Sequence, residues 1–394
     1  MTSTNRSDFL AFGRPSFTDQ EIDAVARVMR TGWVGMGEET IAFERELAEY
    51  VGAPYVVSVN SCTSALFLSL MAANIRPGDE VICPSLTWCS TANAALYLGA
   101  RAVLCDVDPA TLSVTPETIA PHITPRTKAV MVVHMGGLAV DVAALRAAIP
   151  SHIAIVEDAA HAIGATYPDG SPVGSSGNLT CFSFYANKNL STGEGGAIAL
   201  FDPEAAERLR SLRQHGLSAD AWKRFTHRHS ILTPKVAELG YKMNYTDLQA
   251  AIGRVQLRRL PDMAARRMAL VEQYVDALAG VEPRLQFQRN VTHDGHARHL
   301  LVVTLPTRSM EMSRNEVFAA LRRRNIGVAI HYQPLHTMPV YQAGSRPVLP
   351  NTDALADRIL TLPISASMFS TDVEYVAEQL IEVLAHGQAA RVAS

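Results

Sequence analysis

Seven short apolar runs, separated by helical patterns, occupy residues 55–200 and constrain the fold more than any other feature of the sequence. They lie at residues 56–59, 80–83, 102–105, 129–133, 153–156, 180–184 and 197–200. Runs that are apolar throughout are typical of strands buried on both faces. The sequence therefore predicts an α/β fold with a mostly parallel sheet flanked by helices, in which ligands bind at the carboxyl ends of the strands.

The C-terminal part of the chain shows a second pattern. A long helical stretch over 245–278 is followed by a strand near 299–305, a helix over 313–324, a short strand at 328–332 and a last helix over 372–385. We therefore predict a large domain with the N-terminal segment at residues 1–260. A small C-terminal α/β domain is predicted at residues 261–394.

Composition excludes several classes of protein. Hydrophobic residues make up 48% of the chain and charged residues 19%, which indicates a packed globular protein. The net charge of −3 favours neither nucleic acid nor a membrane surface as a partner. No apolar run is long enough to span a bilayer, and residues 1–12 lack the apolar core of a signal peptide. The five cysteines form no Cys-x-x-Cys pair, so we predict no metal site and a cytoplasmic location.

One lysine stands out because it lies between an apolar run and a glycine-rich turn, within residues 183–196. Partial burial in such a setting lowers the pKa of a lysine, and a neutral amine attacks an aldehyde. Lys188 is therefore a candidate for the Schiff-base lysine of pyridoxal 5'-phosphate (PLP). A surface lysine in a turn is the alternative interpretation.

Two residues near the end of the fifth run suit the ring of the same cofactor. Asp158 could hold the proton on the pyridine nitrogen by a charge-assisted hydrogen bond, although a helix N-cap aspartate is the simpler interpretation. His161 could donate to the phenolic oxygen, although a lone histidine is more often structural.

The phosphate and the ring face have candidates further upstream. Ser61, Cys62 and Thr63 follow the first run and open a helix, whose free N–H groups bind phosphate. Ser183 could add a hydroxyl to the same phosphate. Trp88 opens the next helix, where an indole could stack on the pyridine ring. An ordinary N-cap and a core tryptophan are the alternatives. These signals are weak singly and strong together.

The order of these motifs resembles that of the DegT-like family of sugar-nucleotide aminotransferases, PLP-dependent enzymes of fold type I. The resemblance runs over residues 12–384. It rests on the motifs at residues 12–15, 31–33, 60–66, 77–81, 157–161, 182–196, 240–244 and 248–253. It departs from the family pattern at Cys62, where many relatives have glycine and where a side chain fits if it points away from the phosphate. Residues 35–37 likewise replace a Thr-Thr-Gly run.

The resemblance implies a role for each candidate. Lys188 would carry the cofactor and move the proton at the substrate carbon, with Asp158 and His161 at the cofactor ring. The resemblance also adds Asn244, which would reach the phosphate bound by a neighbouring subunit and so implies a homodimer with shared sites. Residues that could touch the substrate are Trp33, Gly35, Met36, His331 and Tyr332. The basic stretch at 222–229 would meet a diphosphate or form a solvated loop.

The implied reaction is a ping-pong transamination through pyridoxamine 5'-phosphate. L-Glutamate or L-glutamine would be the donor and a nucleotide-linked keto-deoxysugar the acceptor. The residues around Lys188 resemble those of members that aminate C4 rather than C3. Alternatives are a keto-cyclitol as acceptor, a PLP-dependent sugar dehydratase or lyase, and a non-catalytic sensor. Lys188 argues against the dehydratase, because relatives with that activity carry histidine at this position.

Overall fold

A seven-stranded sheet forms the centre of the computed structural model, which describes residues 6–218, 235–282, 284–306, 312–342 and 346–392, with side chains described as far as residue 385. Its strand order is β1-β7-β6-β5-β4-β2-β3. The strands are β1 (Tyr55–Val59), β2 (Glu80–Pro84), β3 (Arg101–Cys105), β4 (Thr127–Val133), β5 (Ala154–Asp158), β6 (Leu179–Ser183) and β7 (Gly196–Leu200). All pairs from β3 to β6 are parallel, and β7 runs antiparallel to both of its neighbours. The predicted mostly parallel sheet is confirmed.

Successive residues of each strand enter two separate hydrophobic cores. On β4, Val130 and Val132 belong to one core, whereas Ala129 and Met131 belong to the other. Every one of these side chains is fully buried. A sheet covered on both faces has no solvent side, which is why its strands read as continuous apolar runs instead of alternating patterns.

Helices cover both faces and lead into the sheet. They are α1 (Asp19–Thr31), α2 (Glu38–Val51), α3 (Cys62–Ala72), α4 (Cys89–Leu96), α5 (Pro116–Ile119), α6 (Val142–Ala148) and α7 (Pro203–Leu212). Short 3₁₀ turns lie at Ala120–His122 and Met135–Gly137. Within the residues described, no helix combines the length and the apolar character needed to cross a membrane.

Helix α8 (Asp247–Leu278) joins the large sheet to the C-terminal part of the chain. Thr246 and Gln249 form a capping box at its start, which explains why the helix begins there. Its first half packs in the core of the large sheet as far as Met263, and its second half enters a separate core from Leu270 onward. This change of core supports the predicted domain boundary at residue 260, which remains a proposal.

The C-terminal part forms a small antiparallel sheet of order β10-β9-β8, packed against helices. Its elements are β8 (Gln286–Phe287), β9 (Leu301–Thr304), α9 (Arg314–Arg323), α10 (Pro350–Ala356), β10 (Ile359–Leu362) and α11 (Ser370–Val392), with 3₁₀ turns at Leu335–Thr337 and Pro339–Tyr341. The predicted strand at 328–332 is wrong. Within these five residues, all of them described, the only bridge is that of Ala329 to Thr361, and a cis peptide joins His331 to Tyr332.

A buried ion pair ties three parts of the large domain together. Arg213, just after α7, contacts Glu44 on α2 and donates to the Ser58 carbonyl on β1 at 2.6 Å. Ser58 also donates its backbone N–H and its hydroxyl to Glu44, at 2.9 and 2.7 Å. Removing one partner would leave the other charge buried without compensation.

Replacement of Arg213 by methionine is therefore expected to lower the free energy of unfolding by about 3–5 kcal/mol. Urea unfolding at fixed protein and cofactor concentrations measures the change, since ligand binding and association also shift stability. The matched control is Arg210→Met, which removes a largely exposed pair with Glu207 and should change the free energy by less than about 1 kcal/mol. Equal effects of the two variants would contradict the role of the buried pair.

Candidate active site

A cavity of about 480 Å³ opens at the carboxyl ends of the parallel strands. Residues that follow β1, β2, β5 and β6 line it, together with His331 and Tyr332 from the C-terminal part. Strand ends that meet at one sheet edge bring distant parts of the sequence together. The cavity therefore lies where the strand pattern predicts a ligand.

The N-terminus of α3 forms one end of the cavity. Ser61 is the N-cap and accepts the Ser64 N–H at 3.1 Å, while Cys62 and Thr63 lie in the first turn, where N–H groups lack intrahelical acceptors. A Cβ on Gly196 would come within 2.6 Å of the Cys62 backbone nitrogen, so glycine is needed for β7 to pass this close. Ser183 lines the same cavity. This end is built to accept an anion.

The Cys62 side chain turns toward the sheet. Its sulfur lies 3.7 Å from the Cys181 carbonyl oxygen and 4.0 Å from Asp158 Oδ1. Burial, followed by the nearby Asp158 charge, raises the pKa of the thiol well above its usual range. The backbone of Cys62 thus contributes to the helix N-terminus, while its neutral thiol fills space beside Asp158.

Asp158 ends β5 and is buried at the bottom of the cavity. The Thr91 hydroxyl donates to its Oδ2 at 2.8 Å, and the Ala160 N–H donates to Oδ1 at 3.2 Å. Burial raises the pKa of this carboxyl, and these donors together with the Lys188 charge partly offset the rise. Thr91 has no signal in the sequence, since its role depends on how α4 packs against α3, β2 and β3, which brings Thr91 to the end of β5.

Trp88 is the N-cap residue of α4 and lines the cavity, with 60% of its surface exposed. Its ring centroid lies 5.9 Å from that of Tyr332, at a tilt of 49°. A large indole that remains this exposed at a cavity wall offers an open aromatic face. It is available for stacking on a planar ring.

His161 follows the end of β5 by one turn and faces Tyr332. Its Nδ1 accepts the Gly136 N–H at 3.4 Å, and its Nε2 lies 3.0 Å from the Tyr332 hydroxyl. Because Nδ1 is the acceptor, the hydrogen of the neutral ring resides on Nε2. Burial and nearby cations lower the pKa of His161 well below its usual range. The ring is thus a neutral donor at the cavity wall.

Lys188 lies in the turn between β6 and β7 and points into the cavity. Its backbone N–H donates to the Tyr185 carbonyl at 2.9 Å, and Gly195 closes the turn with φ of 153°. A Cβ on Gly195 would lie 2.6 Å from the Tyr245 ring. Burial lowers the pKa of Lys188 to about 8, and the nearby Asp158 charge opposes the fall. The amine is therefore partly neutral near physiological pH.

These groups fit PLP. A helix N-terminus with hydroxyls suits its phosphate, Asp158 suits the pyridine nitrogen, Trp88 suits a ring face, and Lys188 supplies the amine. The Asn187 Oδ1 is buried at the cavity wall and has no hydrogen-bond partner among the residues described. An unsatisfied acceptor in this position is one more sign of a polar ligand.

Four of the predicted site residues do not line the cavity: Trp33, Gly35, Met36 and Asn244. The Trp33 indole donates to the Met36 carbonyl at 3.1 Å, the Gly35 carbonyl accepts the Asp247 N–H, and Asn244 donates to the Tyr245 carbonyl at 3.2 Å. Their contacts with substrate or with a second subunit remain predictions. The basic stretch at 222–229 lies outside the described residues.

Comparisons with known proteins identify the family of this chain. A model of the DegT/DnrJ/EryC1/StrS aminotransferase family matches residues 15–381. The chain is 42% identical over 385 residues to the spore coat polysaccharide biosynthesis protein SpsC of Bacillus subtilis, covering 96% of this chain and 98% of that protein.

Solved aminotransferase structures have a similar fold over nearly the whole chain. The putative sugar aminotransferase Spr1654 from Streptococcus pneumoniae, in its PMP form, has a TM-score of 0.89 at 29% identity, over 97% of this chain and 99% of that one. It has also been solved in a PLP form. The aminotransferase TlmJ from Streptoalloteichus hindustanus has a TM-score of 0.87 at 34% identity, over 96% and 99% of the two chains.

Proposed function

Since the chain belongs to the DegT/DnrJ/EryC1/StrS aminotransferase family, it is a PLP-dependent sugar aminotransferase, and we propose a specific donor and acceptor for it. The donor is L-glutamate or L-glutamine. The acceptor is a nucleotide-linked keto-deoxysugar, aminated at C4 in preference to C3. The product is the corresponding amino sugar, still attached to its nucleotide.

The observation that carries this proposal is the buried amine of Lys188 beside Asp158. PLP, when bound, supplies the electron sink that makes the bond at the amine-bearing carbon labile. Lys188, with a pKa of about 8, holds or releases a proton at that carbon near neutral pH. A dehydratase of this family would lack this amine, so Lys188 favours amino transfer.

The other residues of the site would bind and orient the cofactor. The N–H groups at the start of α3 and the Ser183 hydroxyl hold the phosphate end. Asp158 would keep the pyridine nitrogen protonated, and the Nε2 hydrogen of His161, which lies at the Tyr332 hydroxyl in this structure, would be the donor for the phenolic oxygen. Trp88 covers the ring face. Together these residues would hold the cofactor in one orientation relative to Lys188.

The choice of C4 rests on residues 187–196, which resemble those of family members that aminate this carbon. The nucleotide linkage rests on the family resemblance. The unpaired Asn187 Oδ1, next to Lys188, supports a hydroxyl-bearing substrate, because a sugar hydroxyl is a donor that this acceptor lacks. His331 and Tyr332 line the same wall and are the proposed substrate contacts.

The test follows the two half-reactions separately. Addition of L-glutamate to the PLP-loaded protein is expected to replace visible absorbance by near-ultraviolet absorbance. Addition of a nucleotide-linked 4-keto-6-deoxyhexose should then restore the visible band and yield an amino sugar by mass spectrometry. The 3-keto isomer should react more slowly. Faster reaction of that isomer would overturn the C4 preference, and reaction of a keto-cyclitol alone would overturn the nucleotide-sugar assignment.

A further inference from the structure

A fully buried histidine lies directly behind the Lys188 amine. His299 Nε2 is 3.4 Å from Lys188 Nζ, across 111 residues of sequence. His299 precedes β9 and is only 3% exposed. None of the cofactor contacts described above uses this ring, so its position next to the reactive amine needs its own explanation.

Asn189 determines which ring nitrogen of His299 carries hydrogen. The Asn189 Nδ2 donates to the Ala297 carbonyl at 2.7 Å, which fixes the amide with its Oδ1 toward His299. That oxygen lies 3.2 Å from His299 Nδ1 and can only accept. Nδ1 therefore carries the hydrogen. In the neutral ring, Nε2 then has a free lone pair directed at Lys188.

The surroundings keep the His299 ring neutral. Burial, and then the positive charges of Lys188, His161, Arg267 and His331 when they are protonated, lower the pKa of His299 well below its usual range. Its hydrogen-bond partners among the described residues include no carboxylate that could hold it protonated. A neutral ring with hydrogen on Nδ1 is thus the form that faces the lysine.

We propose that His299 is a positioning residue for Lys188: Asn189 locks the imidazole as the Nδ1–H tautomer, and the bare Nε2 holds the free amine by accepting one of its hydrogens. This inference deepens the proposed function and rests on its assignment of Lys188 as the reactive amine. One N–H of Nζ is aimed at His299, and the rest of the amine faces the cavity.

The neighbouring ring has the opposite tautomer. His161 and His299 pack with ring centroids 4.7 Å apart, and His161 accepts at Nδ1 and donates from Nε2. His161 is therefore a donor at the wall, and His299 is an acceptor behind the amine. The two packed histidine rings thus have different tautomers because a backbone N–H contacts Nδ1 of His161 and an amide oxygen contacts Nδ1 of His299.

An uncharged acceptor suits a lysine that must both give and take a proton. A carboxylate at the same place would form a charge-assisted bond and hold the amine as ammonium. A neutral imidazole orients the side chain but stabilises the ammonium less. The long lysine chain has several rotatable bonds, so an anchor at Nζ reduces the conformations that it explores.

The test measures the pKa of Lys188 in the full-length protein freed of cofactor. The chain has only five lysines, at positions 128, 188, 223, 235 and 242. Competitive acetylation with acetic anhydride over a pH series, read by mass spectrometry of peptides, reports each amine separately. Only the neutral amine reacts, so labelling of Lys188 should rise with pH, with a midpoint near 8, and level off about one pH unit above the midpoint. The other lysines are internal references.

His299→Phe removes the acceptor and should lower the midpoint for Lys188 by roughly one pH unit, the size of a lost charge-assisted hydrogen bond. His299→Gln keeps an acceptor oxygen near the Nε2 position and should restore most of the midpoint. The matched control is His296→Gln, a buried histidine that contacts Gln288 and Arg298. It should leave the midpoint unchanged.

A second variant separates the hydrogen bond from burial. Asn189→Leu keeps the imidazole but removes the tautomer lock, and a smaller fall of the Lys188 midpoint is expected. An unchanged midpoint in Asn189→Leu, with a fall in His299→Phe that His299→Gln does not restore, would mean that burial alone is responsible and would overturn the proposal. A rise of the midpoint in His299→Phe would show that His299 carries charge, with the same consequence.

This measurement is independent of turnover. The relative Spr1654 has been solved in an apo form, and the labelling likewise needs neither cofactor nor substrate. A midpoint that responds to His299 in a protein that transfers no amino group would contradict the proposed function but retain the contact. If the protein transfers amino groups but the Lys188 midpoint does not change when His299 is replaced, the proposed function would stand and the His299 contact would be contradicted.

Discussion

Replacement of Lys188 by alanine is expected to reduce amino transfer at least about 10⁴-fold, because one side chain both binds the cofactor and moves the proton. The buried amine, with its pKa near 8, is the only lysine in the cavity wall as the described residues define it. The rate of amino-sugar formation from L-glutamate and a nucleotide-linked keto-sugar is the measurement. The same variant should lose the visible absorbance of a lysine-linked cofactor.

The matched control for this result is Lys128→Ala. Lys128 lies on β4 with its side chain exposed, outside the cavity wall. Its removal should change the rate by less than about twofold, since surface substitutions away from special features alter little. Comparable losses in both variants would indicate a general effect on folding. Substantial amino transfer by folded Lys188→Ala would contradict the assignment of the amine.

Asp158→Asn is expected to lower kcat by about 10²–10⁴-fold while the cofactor stays bound. The amide is nearly the same size as the carboxylate: its single oxygen can accept from the Ala160 N–H, and its NH2 group, in place of Oδ2, can donate to the Thr91 hydroxyl. It is neutral, however, and no longer holds a proton on the pyridine nitrogen by a charge-assisted bond. The defect should therefore appear in kcat more than in KM.

A conservative aspartate change elsewhere separates chemistry from structure. Asp141 caps α6, where it accepts the Ala144 N–H at 2.9 Å, and asparagine caps helices about as well. Asp141→Asn should keep both kcat and stability close to the parent values. If Asp158→Asn retained parental kcat, Asp158 would be a structural cap instead of the partner of the pyridine nitrogen.

Local pattern was sufficient for much of the fold. Each predicted strand from residue 56 to residue 200 is present, within two residues at either end, because continuous apolar runs of this length fit a sheet covered on both faces. The strand predicted at 328–332 is absent for a local reason as well as a tertiary one. Its apolar and aromatic residues read as a strand, but the segment turns at His331 and Tyr332 to line the cavity instead.

Local pattern was less informative for the site. Lys188 and Asp158 could be identified because each follows a strand, and strand ends meet at one edge of a parallel sheet. Thr91 and His299 could not be identified, since a threonine in a helix and a histidine before a strand have many ordinary roles. Their importance arises from partners 67 and 111 residues away.

The sequence by itself determined the class of fold, the family and the chemical groups that the site contains, because these depend on periodicity and on motifs of contiguous residues. The tertiary structure decided which form those groups take. Burial of Lys188 lowers its pKa, the Ala297 carbonyl orients Asn189, and Asn189 in turn sets the tautomer of His299. Desolvation and hydrogen bonding depend on neighbours in space, and only folding brings those neighbours together.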